Sequence, residues 1–191
     1  VCECENIGSV TGSIAGGIAG RSSANYSTGG IKFSTNRGKI NADESYSGGI
    51  VGEMINGLIY FCDNYGDITG RSYAGGICGR NYSSTNIGAS AVDFCRNYAS
   101  ADGKVSAGIA GYYQDESGEC YVRYNYSTFQ SEYGIIGDIN SKYNLDNTIC
   151  ENAWVCDTAA DENGCAKGDL NGIELITTKD CEDLGRGEVS L

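Results

Sequence analysis

The sequence predicts an all-β protein, a parallel β-helix or β-solenoid of about five coils of roughly 30 residues each. Two landmarks that recur together and an unusual composition support this fold class. The chain has 29 Gly and 14 Tyr but no Pro, so its glycines are positioned residues and not part of a disordered linker. Self-similarity at a fixed period is typical of solenoids, in which coils bury a face by stacking on each other. The general rule for parallel crossovers predicts right-handed winding.

The first landmark is G-G-I-x-G, which occurs at residues 16–20, 48–52 and 75–79 and in variant form at residues 107–111 and 133–137. Paired glycines suit a sharp corner at which no Cβ fits. Stacked coils would bring equivalent residues into columns. We therefore predict one aliphatic column, formed by Ile18, Ile50, Ile77, Ile109 and Ile135.

The second landmark is an Asn that precedes each glycine element, at Asn6, Asn36, Asn64, Asn97 and Asn125. An Asn tolerates left-handed backbone geometry and has an amide that can bond to the next coil, so these residues are predicted to form a second column. Apolar residues alternate before the Asn, which places Phe33, Phe61 and Phe94 in an interior aromatic column. An apolar residue also follows each Asn, at Val10, Ile40, Ile68, Val105 and Phe129. Each copy then has about three short strands.

Residues 143–191 depart from the pattern that defines the solenoid over residues 1–142. Four of the ten cysteines and the single tryptophan lie there, and we predict a disulfide-containing C-terminal cap with a short helix over residues 177–184. The candidate disulfide residues of the cap are Cys150, Cys156, Cys165 and Cys181.

The repeats resemble the GLUG-motif repeats of surface proteins, mostly bacterial, and of the non-catalytic region of some IgA-cleaving metallopeptidases. The resemblance covers roughly residues 1–140 and depends most on residues 48–52 and 61–68; residues 143–146 are similar to the tail that often closes such arrays. Ala107 and Tyr133 depart from the double glycine. The resemblance implies a β-solenoid at the cell surface, used as a stalk or adhesive module, and it brings no catalytic residues.

Ten cysteines indicate an oxidising compartment, and the expected localisation is extracellular or at the cell surface. Cys62 and Cys95 occupy one repeat position in adjacent copies, where neighbouring strands lie about 4.8 Å apart, so a disulfide between them is one prediction. The alternative is an unbonded stack of thiols. The start at Val1 fits a mature secreted product or a piece of a longer protein.

The absence of His excludes catalysis by a Ser-His-Asp or Cys-His system and excludes histidine-ligated zinc. We predict neither a metal nor another cofactor. The net charge of −12, without any basic run, argues against nucleic acid as a partner, and no apolar run is long enough for a membrane span.

Two groups of surface residues are candidates for specific roles. Asn25 and Asn81 begin N-glycosylation sequons in variable loops and are acceptor candidates if the source is a eukaryote. Tyrosines outside the predicted core can bind sugars or protein partners, and the candidates are Tyr46, Tyr73, Tyr112 and Tyr113.

The expected function is that of a secreted or cell-surface structural or adhesive module without catalytic activity, with a protein or glycan at a cell surface as its partner. One alternative is a subunit of an extracellular fibre that self-associates end to end. Another is a carbohydrate-active β-helix enzyme, or an accessory domain of a surface peptidase, which would need carboxylates grouped in one groove.

Overall fold

The computed structural model describes residues 1–25, 27, 29–84, 88–117, 120–128, 134–141, 153–156 and 173–176. Its strands are short and all pair in parallel. The predicted helix over residues 177–184 and most of the predicted cap, including Cys150, Cys165 and Cys181, lie outside the described residues.

The strands follow one another in groups of five, and each complete group is one coil. Coil 1 consists of β1 (Glu5–Asn6), β2 (Val10–Gly12), β3 (Ala15–Gly16), β4 (Ala19–Ser23) and β5 (Gly30–Lys32). Coil 2 consists of β6 (Thr35–Asn36), β7 (Ile40–Ala42), β8 (Tyr46–Gly48), β9 (Val51–Ile55) and β10 (Leu58–Tyr60). Coil 3 consists of β11 (Asp63–Asn64), β12 (Ile68–Gly70), β13 (Tyr73–Gly75), β14 (Cys78–Ser83) and β15 (Ser90–Asp93). Coil 4 consists of β16 (Arg96–Asn97), β17 (Ala101–Asp102), β18 (Val105–Ala107), β19 (Ala110–Asp115) and β20 (Cys120–Arg123). The remaining strands are β21 (Tyr126–Ser127), β22 (Ile136–Ser141), β23 (Ala153–Cys156) and β24 (Ile173–Ile176).

Equivalent strands of successive coils form five parallel sheets that run along the solenoid. Sheet I contains β1, β6, β11, β16, β21, β23 and β24, and sheet IV contains β4, β9, β14, β19 and β22. Sheets II, III and V have four strands each and begin with β2, β3 and β5, respectively. The predicted β-solenoid is therefore confirmed. It makes about four turns, and each complete coil has five short strands where the sequence predicts about three.

The isoleucine column lies in the interior, as predicted. Ile50, Ile77, Ile109 and Ile135 are fully buried, and each accepts a backbone hydrogen bond from the equivalent residue of the preceding coil. Burial of such side chains is the main favourable contribution to the folding free energy. Sheet II adds a smaller cluster in which Val10, Ile40, Ile68 and Ala101 are in register. The prediction that Val105 takes this position in coil 4 was wrong, because Val105 pairs with Tyr73 in sheet III.

The asparagine column is also buried and connects coil to coil through its side-chain amides. Asn6 Nδ2 donates to Asn36 Oδ1 at 2.7 Å, Asn36 Nδ2 to Asn64 Oδ1 at 2.8 Å, and Asn64 Nδ2 to Asn97 Oδ1 at 2.8 Å. The fifth member is Ser127, whose Oγ accepts from Asn97 Nδ2 at 3.2 Å. The prediction of Asn125 was wrong by two residues, since Asn125 lies in register with Cys95 and its Oδ1 accepts from Cys95 N.

The glycine element packs directly against this amide column. A Cβ on Gly49 would overlap the carbonyl oxygen of Gly76 and the side chain of Asn64. The second glycine of each pair is needed because backbone and amide already fill that side of the interior.

The phenylalanine column lies on the outside, so its predicted interior position was wrong. Phe33 is 52% exposed, and its ring stacks on Phe61 with the centroids 5.8 Å apart, while Phe61 stacks on Phe94 at 5.1 Å. Phe33, Phe61 and Phe94 have φ angles of 51°, 49° and 55°, in the left-handed region. This backbone conformation turns the chain sharply before sheet I and interrupts the strand alternation from which the prediction was made.

The largest difference in length between coils falls in one connection, between sheets IV and V. Only Asn56 and Gly57 separate β9 from β10, whereas residues 84–89 separate β14 from β15. The Asn of each of the first four coils is followed by its sheet II strand at a constant spacing. The columns therefore keep register while the connections between strands change length, most of all at this corner.

Candidate binding groove

Three of the four tyrosines that the sequence singled out come together on one outer surface. Tyr46 and Tyr73 lie in sheet III, and Tyr112 lies in sheet IV. The ring centroids of Tyr46 and Tyr73 are 5.7 Å apart, and those of Tyr73 and Tyr112 are 4.8 Å apart. Because rings from the two sheets stack on each other, the outer faces of sheets III and IV face one another. We call the surface lined by Tyr46, Tyr73, Tyr112, Glu53 and Arg80 the tyrosine groove.

The glycine corner between sheets III and IV makes the groove narrow. A Cβ on Gly79 would lie within 3 Å of the backbone nitrogen and oxygen of Ser47, and one on Gly52 would be equally close to Ile14 Cγ2. Such close approach of the two sheets allows side chains that point out of the interior to be buried again between them.

The predicted partner-binding role of Tyr113 was wrong. Its side chain is fully buried, and its hydroxyl donates to the carbonyl oxygen of Cys120 at 2.7 Å. Neighbouring residues of a strand point to opposite faces, so once Tyr112 is outside, Tyr113 must be inside.

A buried ion pair lies at the base of the groove. The Glu53 carboxylate, only 1% exposed, accepts hydrogen bonds from both Arg21 and Arg80. Arg80 also donates to Gln114 Oε1. The buried carboxylate is thus neutralised by its partners, as a charge removed from water requires.

Arg80 is surrounded by aromatic rings. Its guanidinium carbon lies 5.5 Å from the ring centroid of Tyr46, 4.5 Å from that of Tyr82 and 5.9 Å from that of Tyr112. Cations within about 6 Å of an aromatic face are attracted by its quadrupole. These contacts fix the guanidinium between sheets III and IV.

Protonated hydroxyl groups are available in the groove at neutral pH. Burial raises the pKa of Tyr46, and burial together with the charge of Asp138 raises the pKa of Tyr73. The phenols therefore act as neutral hydrogen-bonding groups. Because the ring faces cover one another, the stack offers ring edges and hydroxyls to a ligand.

The charged residues of the groove occupy one repeat position, but no single repeat shows this pattern. Arg21, Glu53 and Arg80 each follow the last glycine of a G-G-I-x-G element, and the next two coils have Tyr112 and Asp138 there. The alternation of charge along this column becomes visible only when the five elements are aligned.

The described cysteines are free thiols, with Cys2 and Cys4 exposed and Cys62, Cys78, Cys95 and Cys120 buried. Cys62 and Cys95 precede the paired residues Asp63 and Arg96, so they lie at matching positions of adjacent coils, as predicted. The neighbouring Cys95 thiol lowers the pKa of Cys62, while burial raises the pKa of Cys95. Of the cap cysteines, only the backbone of Cys156 is described, in β23.

The two glycosylation candidates have different environments. Asn25 is exposed, and its Oδ1 accepts a hydrogen bond from Ser27 Oγ at 2.8 Å. Asn81 is fully buried and donates to the carbonyl oxygen of Tyr121 at 3.1 Å, so its amide leaves no room for a glycan. The expectation that Asn81 lies in an accessible loop was wrong, because it is an inward-facing residue of β14.

Comparison with protein-family models, curated proteins and solved structures found no match to the chain. Among the described residues, no group of three or more Cys, Asp or Glu side chains is arranged to hold a metal ion. The described part of the chain contains no helix long and apolar enough to cross a membrane.

Proposed function

We propose that this chain is a secreted or cell-surface adhesive β-solenoid, without catalytic activity, that binds glycans through the tyrosine groove. The observation that carries the proposal is the convergence of Tyr46, Tyr73 and Tyr112 with the Arg80–Glu53 pair between two sheets. Binding sites are typically concave, with a few polar groups at fixed positions. The rod itself supplies a rigid support for such a site.

The chemistry of the groove favours a neutral, hydroxyl-rich ligand. The phenols of Tyr46 and Tyr73, whose pKa values are raised, are protonated, and the buried Glu53 carboxylate is paired with arginine. The chain carries a net charge of −12, which repels polyanions in general. Neutral glycans offer hydroxyls to phenol groups, and their apolar C–H groups pack against the exposed ring edges by dispersion.

The test is binding of the intact protein to arrayed neutral and acidic glycans and to cells before and after enzymatic removal of surface glycans. Tyr46→Phe removes one groove hydroxyl but keeps the stacked ring, and we expect it to weaken binding about tenfold, the effect of one lost hydrogen bond. Tyr65→Phe is the matched control, since Tyr65 stacks on Tyr98 at 4.6 Å in another column. Equal affinity of wild type and Tyr46→Phe, or equal loss in both variants, would contradict the proposal.

We infer that in an oxidising compartment Cys62 and Cys95 form a disulfide where coil 3 and coil 4 begin, next to the paired residues Asp63 and Arg96. In-register parallel strands lie about 4.8 Å apart, within the Cα separation that disulfides tolerate. Both thiols are buried, and oxidation by a dithiol–disulfide exchange protein would transfer their two electrons to that protein's disulfide. Peptide mapping of the protein from its native compartment, without reduction, should recover the two cysteines in one cross-linked fragment. Recovery of both as alkylated thiols would overturn this inference.

A further inference from the structure

The outer side of sheet I carries an aromatic and charged surface. In coil 3, Cys62 and Asn64 are buried. The residues that flank them, Phe61, Asp63 and Tyr65, point outward and are partly or largely exposed. The equivalent outward residues of coil 4 are Phe94, Arg96 and Tyr98. We call these six residues the sheet I face; it has a charged centre and two aromatic borders.

The aromatic borders are ordered by stacking along the rod. The ring centroids of Phe61 and Phe94 are 5.1 Å apart, and those of Tyr65 and Tyr98 are 4.6 Å apart. In the described part of the chain, the two most exposed aromatic side chains are Phe33, at 52%, and Tyr65, at 41%. Phe33 extends the first border, since it stacks on Phe61 at 5.8 Å. Exposed apolar surface concentrated on one face is typical of interaction sites.

An ion pair lies at the centre of the face. Arg96 Nε donates to Asp63 Oδ1, and Arg96 Nη2 donates to Asp63 Oδ2, both at 2.6 Å. The Arg96 side chain is 31% exposed and that of Asp63 is 16% exposed. A guanidinium has five N–H donors and a carboxylate has about four acceptor positions, so each group can bind a second partner of opposite charge. The pair is therefore complementary to a copy of itself turned end for end.

This complementarity selects one two-fold arrangement of two copies. If the rods are antiparallel and the two-fold axis passes between coils 3 and 4, Asp63 of each copy faces Arg96 of the other. An axis through coil 3 would oppose Asp63 to Asp63, and one through coil 4 would oppose Arg96 to Arg96. Parallel rods related by a two-fold axis would oppose each residue to itself. Like charges in contact are unfavourable, so only the first arrangement is compatible with the ion pair.

The same axis also matches the aromatic borders. It places Phe61 of one copy against Phe94 of the other, and Tyr65 against Tyr98, so that rings meet rings on both sides of the charges. We propose that the sheet I face joins two copies of this chain into an antiparallel dimer. A two-fold interface of this kind uses the same surface on both subunits, and aromatic residues and Arg are enriched at such surfaces.

The dimer does not involve the tyrosine groove. Tyr46 and Tyr73 lie in sheet III, whereas the contact is made by sheet I. The proposal is therefore independent of glycan binding, and each dimer would carry two grooves.

The first test is the association state of the intact protein. Because the face is only a few coils long, at about 4.8 Å per coil, we expect a small interface and a dissociation constant between about 1 μM and 1 mM. Sedimentation over this range of concentrations, under reducing conditions because Cys2 and Cys4 are exposed, should show a monomer–dimer equilibrium. A protein that stays monomeric throughout would overturn the proposal.

A charge-exchanged variant tests the face and the register together. Asp63→Arg combined with Arg96→Asp keeps an ion pair within the chain and should dimerise with itself. It should not pair with the wild type, because carboxylate would then face carboxylate and guanidinium would face guanidinium. We expect the mixed dimer to be at least about tenfold weaker than either homodimer. Native mass spectrometry of isotope-labelled wild type mixed with unlabelled variant measures the mixed dimer.

The matched control exchanges another ion pair of neighbouring coils. Asp93 and Arg123 lie in sheet V, and Asp93→Arg combined with Arg123→Asp should form mixed dimers with the wild type as readily as the wild type pairs with itself. Free mixing of the Asp63 and Arg96 variant with the wild type would overturn the proposed register. So would a folded variant of this pair that no longer dimerises with itself, or exclusion of both variants from mixed dimers.

An NMR dilution series of the wild type gives a test that depends on no variant. As the dimer dissociates, the resonances of Phe61, Tyr65 and Arg96 should shift, whereas those of Tyr46 and Tyr73 should not. Shifts confined to the tyrosine groove, or to a sheet other than sheet I, would contradict the sheet I face as the dimer contact.

Discussion

The asparagine and phenylalanine columns lie close together along the same rod, yet one is inside and the other outside. Both recur once per coil, and both stack on their equivalents in neighbouring coils. Asn36, Asn64 and Asn97 are fully buried, whereas Phe33 is 52% exposed. The more polar residue is the buried one because every coil supplies hydrogen-bond partners for the next amide. Repetition therefore predicts that residues stack, but it does not predict on which side of the coil they stack.

Among the substitutions near the buried asparagine column, Gly49→Ala should lower the free energy of unfolding most. The added methyl group would overlap backbone of coil 3 and the Asn64 side chain, so we expect a loss of about 4 kcal/mol in the free energy of unfolding, measured by urea denaturation. Gly12→Ala is the control, since its Cβ would find Ile14 O at an ordinary 3.8 Å. Similar small effects for the two variants would contradict the close packing of glycine on the amide column.

Removal of one amide should have the next largest effect. Asn64→Leu leaves the N–H and carbonyl groups of Gly66 and the neighbouring amides without their partner, and we expect a loss of about 3 kcal/mol in urea denaturation. Asn64→Ser should lose less, because Ser127 fills the same column in the chain itself. If leucine is tolerated as well as serine, the column is held by packing and not by hydrogen bonds.

The buried cysteine Cys78 makes the stability of the solenoid interior depend on pH. Burial raises the pKa of Cys78 to about 12 from an ordinary value of 9.0. Between these values the unfolded chain releases this proton and the folded chain retains it, so folding stability must fall as pH rises. The slope from this thiol is about 1.4 kcal/mol per pH unit.

Urea denaturation under reducing conditions between pH 9 and 10.5 measures this slope. Cys78→Ala should lose stability less steeply with pH than the wild type. Cys4→Ala, which changes an exposed thiol, should match the wild type. Parallel curves for all three proteins would show that Cys78 does not remain protonated inside the rod.

The smallest effect on the free energy of unfolding is expected for a substitution in the exterior phenylalanine column. Phe33→Asn loses two ring contacts, with Tyr60 and Phe61, worth about 0.5–1.5 kcal/mol each. It also relieves left-handed strain of about 1–2 kcal/mol, because Asn tolerates φ near 51°. These contributions nearly cancel, so the free energy of unfolding should change by less than about 1 kcal/mol. A loss above about 3 kcal/mol, typical of a buried Phe, would contradict the exterior position.

Much of the rod could be predicted from the sequence because its columns depend on local spacing. The isoleucines and the first four asparagines stack as their repeats indicate. The alternation of strand residues predicted an interior Phe33. The left-handed backbone conformation at this residue could not be inferred from the sequence, because bulky aromatic residues rarely adopt that conformation. The fifth copy of the repeat was misaligned because Ser127 replaces the Asn that defined the pattern.

The candidate groove could be predicted only in part. Tyr46, Tyr73 and Tyr112 were identified as surface residues, but their meeting depends on how sheet III folds against sheet IV, which is a tertiary property. Tyr113 and Asn81 face inward because successive residues of a strand point to opposite faces. The composition of a segment does not indicate which of its residues face inward. Glu53 and Arg80 became evident through alignment of the position after each glycine element.

The connection between sheets IV and V gives the rod a natural point of attachment. Only two residues join β9 to β10, yet six join β14 to β15, and the columns on both sides continue undisturbed. A foreign epitope or small domain grafted after the exposed Asn25, in the connection between β4 and β5, would be displayed at this corner, at a fixed height along the solenoid axis. Grafts at successive coils would stand about 4.8 Å apart. The choice of coil thus sets the position of the displayed group along the solenoid axis.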